Sequence, residues 1–364
     1  MHVSDSRTLR ILQMNMERGW RGGERQTLLT MRQLRLQGHD VELLARKGGA
    51  LARRAAELDF VVHEHEGAAA IGRFLLARRR GYDVMHAQTA HMMTWLALLR
   101  PWLQACLVFT RRTAFPLQKN ARRNAWKWRQ ADVFVAISDA AAAEPRRLGL
   151  DVVVIPSAVE ARPLNAERLN AFTREYKLDG RRVLATAAAL TPEKDPLTLV
   201  DAVHALAQRR HDFVFLHLGA GGSEEAAAHA RVRELGLDSV YLFAGFQDAV
   251  EDLYRLMDVF VLASRHEALG SSALDAFLYG VPVVATHAGG LADLLADGRG
   301  LLSEVGDAQG LADNMMRVLD DAALRAVMVE RARQYVAREH DPAVMASRYL
   351  GLYATGLRAS RKQA

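Results

Sequence analysis

Cysteine is almost missing from this chain of 364 residues. Cys106 stands alone, so no disulfide can form within the sequence. It lies in the apolar run Ala105-Cys106-Leu107-Val108-Phe109 and reads as a small core residue, which agrees with a reducing compartment. No uninterrupted apolar span is long enough to cross a bilayer. Met1-His2-Val3-Ser4-Asp5-Ser6 lacks a basic head followed by an apolar core, so no signal peptide is expected. There is no HExxH, no histidine–cysteine cluster and no Asp-x-Asp, so no metal site is expected. Low-complexity tracts and an evident internal sequence repeat are also absent.

What remains is the composition of an ordinary globular protein, half apolar and a quarter charged. The length exceeds one comfortable core, which predicts two domains. A formal charge of +6 and a pI near 9.6 favour an anionic partner. Phosphorylated glycolipid, an anionic membrane surface and nucleic acid all qualify on charge alone.

Short apolar runs alternate with helical patterns along the whole chain. Candidate strands in the first half are 10–16, 41–45, 60–63, 84–87, 106–110, 133–138 and 152–155. The second half offers 183–187, 213–218, 240–244, 259–263, 283–286 and 301–302. Such alternation implies parallel sheets covered on both faces. The polar stretch around 161–178, with Pro163 near its start, separates the two series. This predicts an α/β protein of two Rossmann-like domains, 1–165 and 166–341, followed by a helix and basic tail over 342–364.

One segment carries most of the chemistry: Ser264-Arg265-His266-Glu267-Ala268-Leu269-Gly270-Ser271-Ser272-Ala273-Leu274-Asp275. It joins the apolar run Val259-Phe260-Val261-Leu262 to a helix beginning near Ser271, ahead of the next strand at Val283. Glu267 precedes the helix and Asp275 lies about one turn inside it. The turn therefore falls at the carboxyl edge of a parallel sheet, where open α/β folds bind ligands. The N–H groups of a helix start favour an anion there.

This segment resembles the carboxylate-x7-carboxylate motif of retaining, nucleotide-sugar-dependent glycosyltransferases of family 4. The likeness continues through Gly280-Val281-Pro282-Val283-Val284-Ala285-Thr286 and Ala288-Gly289-Gly290. It implies a GT-B fold with a deep cleft between the two domains. It implies that Glu267 faces the donor sugar and that Asp275, where a glutamate is common, holds the ribose. Arg265, Ala268, Leu269, Gly270, Ser271 and Ser272 join them as donor-binding residues.

Leu190-Thr191-Pro192-Glu193-Lys194-Asp195-Pro196 follows a strand and opens a helix, with Asp195 suited to the N-cap and Pro196 to the first position. By the resemblance, Lys194 neutralises the diphosphate leaving group. The phosphate-binding arginine usual in the family is replaced by Ala189, and Arg265 is a candidate substitute. Gly22-Gly23 after the first strand, and the turn Gly219-Ala220-Gly221-Gly222, resemble loops that lie near the nucleotide. Without that likeness, each is simply a tight turn. The latter is Gly-x-Gly-Gly, not a dinucleotide fingerprint.

Asp83-Val84-Met85-His86-Ala87-Gln88 ends a strand where the family often has His-x-His; His86 is a candidate catalytic residue and His91 a candidate acceptor contact. The alternative for each is a structural histidine. Arg111 and Arg112 are candidates to grip an anionic acceptor through two-pronged guanidinium contacts, or else belong to a surface loop. Ser138 reads as a cap. The stretch Lys119–Arg129 combines dense basic charge with Trp126 and Trp128, suiting either a membrane interface or a solvated helix with inward tryptophans. No recognised nucleic-acid module accompanies it.

The resemblance thus predicts a metal-independent, retaining transferase. It would use a nucleotide-diphosphate sugar as co-substrate, need no cofactor, and act on a glycan or glycolipid in lipopolysaccharide or surface polysaccharide synthesis. The expected location is cytoplasmic, with peripheral contact at the inner membrane. Two rivals share the fold: a nucleotide-sugar epimerase or hydrolase, and a non-catalytic nucleotide-sugar-binding subunit.

Overall fold

The computed structural model describes residues 7–115, 117 and 119–363. Seven strands form one parallel sheet: β1 (Arg10–Asn15), β2 (Asp40–Arg46), β3 (Val61–His65), β4 (Val84–Ala87), β5 (Cys106–Arg111), β6 (Val133–Ala136) and β7 (Val153–Val154). Six form a second: β8 (Arg182–Ala187), β9 (Phe213–Leu218), β10 (Tyr241–Gly245), β11 (Val259–Leu262), β12 (Val283–Thr286) and β13 (Gly300–Ser303). The expected two-sheet α/β architecture is therefore what the chain forms. The central strands are buried along their whole length, which is why they read as unbroken apolar runs.

Both sheets are wound the same way. Their orders are β3-β2-β1-β4-β5-β6-β7 and β10-β9-β8-β11-β12-β13. The chain starts at the middle, builds outward to one side, and returns to build the other. The order reverses between β1 and β4, and again between β8 and β11. Helical crossovers on opposite faces diverge at such a point and leave a crevice at the strands' carboxyl ends.

The chain divides into two compact units, Met1–Ala158 with Glu339–Ala364, and Val159–Arg338. Residues 159–165, assigned by the sequence reading to the first domain, fall in the second unit. Arg162 N–H donates to the Tyr279 hydroxyl at 3.1 Å and Asn165 N–H to Asp252 Oδ1 at 3.3 Å. The helix Pro342–Gln363 returns to the first unit and packs on β5 and on the helix Gly22–Leu36. Its Tyr349 and Tyr353 enter the core formed by Leu43, Val84, Cys106 and Val135. A Cβ at Gly356 would lie 2.5 Å from Cys106 Sγ, so glycine lets the helix seat on the lone cysteine. Burial pushes that thiol up to about 12. The second core gathers Leu184, Phe213, Phe215 and Val259 under the helices Pro196–Ala207 and Ala308–Asp320.

Candidate functional site

In the second unit the pairing of Val259 with Leu184 and Phe260 with Ala185 aligns β11 with β8. The loops beyond them, 188–195 and 263–270, consequently run side by side. The N–H groups of Arg265 and His266 both donate to the Glu193 carbonyl, at 2.9 and 3.3 Å. Fastened this way, the loops bring the Lys194 ammonium onto the Glu267 carboxylate in a close ion pair. Their side chains are 25% and 14% exposed, so the pair is partly shielded yet open on one side. Ser264 Oγ also donates to Glu267, at 3.4 Å.

The next strand braces this loop from behind. Gly290 N–H donates to the Glu267 carbonyl at 2.9 Å. Gly289 has φ +50°, and a Cβ there would lie 2.3 Å from the same oxygen. The pair Gly289-Gly290 therefore permits a backbone contact that fixes where Glu267 stands.

Gly270, in the left-handed region, caps the helix Ser271–Leu278 without a side-chain hydrogen bond. Helix geometry gives the first N–H groups no intrahelical acceptor, so those of Ser271 and Ser272 suit an anion. Ala268 and both serines are half-buried, and Leu269 is buried. The Tyr254 hydroxyl holds the first turn by donating to the Ser272 carbonyl at 2.9 Å. Asp275 is 5% exposed, on the buried side of that helix.

Asp195 caps the neighbouring helix at φ +47° and accepts from Thr198 N–H at 3.4 Å and Thr198 Oγ1 at 2.8 Å. Arg265 Nε donates to the same carboxylate at 2.7 Å, and this partner raises the guanidinium pKa above its usual value. More than half of the Arg265 side chain stays exposed. Arg265 thus stands beside the loop that carries Ala189.

Gly219 has a packing duty that sequence did not reveal. A Cβ there would lie 1.9 Å from the Ala188 carbonyl oxygen. The glycine turn after β9 presses on the β8 loop, and Leu190 N–H donates to the Gly221 carbonyl at 2.9 Å. His217, buried in β9, contacts the Ala188 carbonyl at 3.1 Å and the Tyr241 hydroxyl at 2.8 Å. Burial lowers its pKa to about 4.

In the first unit the strand ends are filled differently. His86 is 0% exposed. Its Nδ1 lies 2.8 Å from the Tyr353 hydroxyl and its Nε2 2.8 Å from Thr110 Oγ1. Burial, aided by the charge of Arg112, depresses its pKa to about 3. A neutral imidazole with both nitrogens engaged under the C-terminal helix does not reach a substrate, so the catalytic assignment of His86 is corrected to a structural one. Arg111 is corrected likewise. It is buried, it donates to the Ala141 carbonyl at 3.0 Å and the Phe115 carbonyl at 2.6 Å, and it lies over the Trp128 ring. Ser138 caps its helix by accepting from Ala141 N–H at 3.0 Å.

Arg112 differs from its neighbour. Its guanidinium donates to Gln88 Oε1 from Nε at 3.2 Å and from Nη2 at 2.7 Å, and to Ser157 Oγ at 3.4 Å. No carboxylate pairs with it among the described residues. Its Cδ lies 3.7 Å from where a Gly23 Cβ would stand, so the Arg112 and Gly22-Gly23 expectations meet at one place. Glu24 is buried there, accepts from Arg21 N–H at 2.9 Å, and has its pKa raised by desolvation. Gln88 ties this group to the core through Gln13 Oε1 at 2.8 Å. Gln88 stood out in the sequence as a departure from His-x-His, but its role as an arginine clamp did not. His91 is exposed in the first turn of the helix Ala90–Leu99, apart from this network.

Among the described residues no cluster of three or more metal-ligating side chains occurs. Comparison with known proteins agrees with the architecture. Residues 169–335 match the family model for glycosyl transferases group 1, and residues 20–162 match that for glycosyltransferase family 4. The 2-deoxystreptamine glucosyltransferase of Streptomyces kanamyceticus is 35% identical over 52% of this chain and 50% of its own length. The lipopolysaccharide core biosynthesis glycosyltransferase LpsE of Rhizobium meliloti is 33% identical over 43% of this chain and 45% of its own. The chain spans about half the length of these curated relatives. HepE of Anabaena, solved with UDP-glucose, superposes with a TM-score of 0.85 at 19% identity, over 95% of this chain and all of that one. With both sheets, the strand-end loops and two family models in agreement, the chain belongs to the family 4, group 1 glycosyltransferases and has the GT-B fold.

Proposed function

We propose that this protein transfers a sugar, with retention of anomeric configuration, from a nucleotide-diphosphate donor to an anionic glycan or glycolipid. The observation that carries the reading is the Lys194–Glu267 pair, held where the strand order of the second sheet reverses and adjoining a helix start with no side-chain cap. Lys194 and the N–H groups of Gly270, Ser271 and Ser272 stabilise the charge that grows on the departing diphosphate. Glu267 orients the sugar and balances Lys194, while Asp275 accepts hydrogen bonds from the ribose diol. The acceptor oxygen bonds to the anomeric carbon as the carbon–oxygen bond to phosphate breaks. The acceptor proton passes to a phosphate oxygen of the leaving group on the same face. Charge neutralisation by Lys194 and the amides makes the reaction independent of added divalent metal.

On this reading the first unit holds the acceptor, and Arg112 is its anion contact. Arg112 is a guanidinium with neutral partners, pre-oriented by Gln88. The Rhizobium relative's role in lipopolysaccharide core synthesis and the chain's net charge of +6 support a bacterial surface glycan built at the cytoplasmic membrane face. HepE, solved with UDP-glucose, supports a nucleotide sugar as donor.

The test is a thermal-shift panel of nucleotide sugars, followed by nucleotide release with and without candidate acceptors and product identification by mass spectrometry. The transferase reading expects release in proportion to acceptor, unchanged by a chelator. Acceptor-independent turnover identifies a hydrolase or epimerase instead. Donor binding without turnover identifies a binding subunit.

A further inference from the structure

We propose that the outer face of the first unit formed by the helices Ala68–Ala77, Ala90–Leu99 and Ala121–Trp128 docks on an anionic lipid bilayer. The chain's positive charge is concentrated in this segment. Residues 68–131 contain 12 lysines and arginines and a single acid, Asp83, although the whole chain carries only +6. The rest of the molecule is therefore net negative, and the basic character belongs to one region.

Arg111 and Arg112 turn inward and Arg100 pairs with Asp132, but the fold sets most of the remaining cations on a surface. The steps β3 to β4, β4 to β5 and β5 to β6 all cross in the same direction, so right-handed connections lay their three helices on one face of the sheet. Neighbouring helices of the three pack side by side. Asp83 is already used by Arg7 and by the Arg10 N–H. Among the described residues, Arg73, Arg80, Arg122, Arg123 and Lys127 form no ion pair. Burial and the nearby Arg123 lower the pKa of Lys127, as befits cations crowded without counter-charge.

The same segment also exposes apolar side chains. Leu98 is 53% exposed, Trp102 56% and Trp126 48%. Trp128, two residues after Trp126, turns inward to 4% and packs edge-on against Phe134. The short helix thus presents one tryptophan outward with Arg122, Arg123 and Lys127 near it. Tryptophan and leucine among unpaired cations suit the headgroup layer of an anionic bilayer. Leu98 offers nothing to a nucleobase, and the tryptophans stand on outward helix surfaces, not in a strand-tracking groove, so lipid is favoured over nucleic acid. No helix among the described residues is long and apolar enough to cross a membrane, so contact is at the surface. This inference deepens the reading of a membrane-borne acceptor by naming the surface that meets the membrane. Vesicle binding is measured with no donor or acceptor present, so either can fail while the other stands.

The experiment is co-sedimentation with phosphatidylcholine vesicles, with and without phosphatidylglycerol, over a salt series. Expected is binding to the phosphatidylglycerol vesicles that weakens with salt, and a blue shift of tryptophan emission. Combined R122Q, R123Q and K127Q should weaken binding about 100-fold, at roughly fivefold per cation. W102A with W126A should abolish the blue shift. Circular dichroism confirms that the variants are folded, and UDP-glucose thermal shift should be the same as for the unaltered chain. Equal binding by the charge variant, or no binding to either vesicle, overturns the proposal. Charge-dependent capture of single-stranded RNA without vesicle binding reassigns the face to nucleic acid and also overturns it.

Discussion

The two units share a winding order but treat the end of it in opposite ways. At β8 and β11, charged side chains keep some exposure: Lys194 meets Glu267 in a partly shielded pair, and the exposed Arg265 meets the buried Asp195. At β1, β4 and β5, the corresponding polar groups Gln13, His86 and Thr110 are sealed under Tyr349 and Tyr353 of a helix from the far end of the chain. An open α/β sheet offers a crevice wherever its order reverses, but whether that crevice is a site depends on what fills it. In the second unit the Lys194–Glu267 pair at that point stays partly exposed. In the first the crevice is largely plugged, and Arg112 with Gln88 remains at its border.

The sharpest break between the units should come from equivalent deletions. Glu267→Ala is expected to lower acceptor-dependent nucleotide release on the order of 10²–10³-fold while the protein stays folded. Tyr353→Ala should instead cost about 3–5 kcal/mol of stability, because it removes a fully buried ring and its bond to His86. Denaturant unfolding, with turnover normalised to folded protein, separates the two. A large loss of normalised turnover in Tyr353→Ala would erase the contrast.

A smaller effect distinguishes the paired arginines. Arg112→Gln should raise the KM for an anionic acceptor roughly tenfold with little change in thermal midpoint, the loss of one charge-assisted contact. Arg111→Gln should lower the midpoint instead, since that guanidinium satisfies two carbonyls in the unit. Steady-state kinetics beside thermal unfolding checks both.

The smallest effect is one the units share. His86 and His217 are neutral when folded, with pKa values lowered to about 3 and about 4 from an unfolded 6.5. The unfolded chain therefore binds more protons over that range. The stability contributed is complete above pH 6.5 and is lost as pH falls toward 4 and then 3. His86→Gln and His217→Gln should each flatten the acid limb of stability against pH by close to one proton. Urea titrations at stepped pH read this directly, and an unchanged limb would show that neither imidazole is held neutral.

Much of this was legible from sequence because parallel, doubly covered strands announce themselves as apolar runs. Val259-Phe260-Val261-Leu262 and Val283–Thr286 were readable directly, and edge strands such as β7 proved shorter than their apolar runs. The Lys194 and Glu267 loops were legible because each follows a strand and opens a helix, a local pattern. His86 and Arg111 were not, because their burial is long-range. The residue that closes over His86 lies 267 positions away. Residue type suggested chemistry, but only tertiary packing decides whether an imidazole or guanidinium meets solvent. Gly219 shows the same limit. Its need for a missing Cβ comes from Ala188 on the adjoining strand loop, not from the turn that contains it.

The central claim is that Lys194 and Glu267 work as one unit on the donor. A double-mutant cycle on acceptor-dependent nucleotide release, using Lys194→Ala, Glu267→Ala and the double variant, tests it most directly. The account predicts that each single change loses on the order of 10²–10³-fold and that the double is little worse than either. Single variants that keep the turnover of the unaltered chain would contradict it.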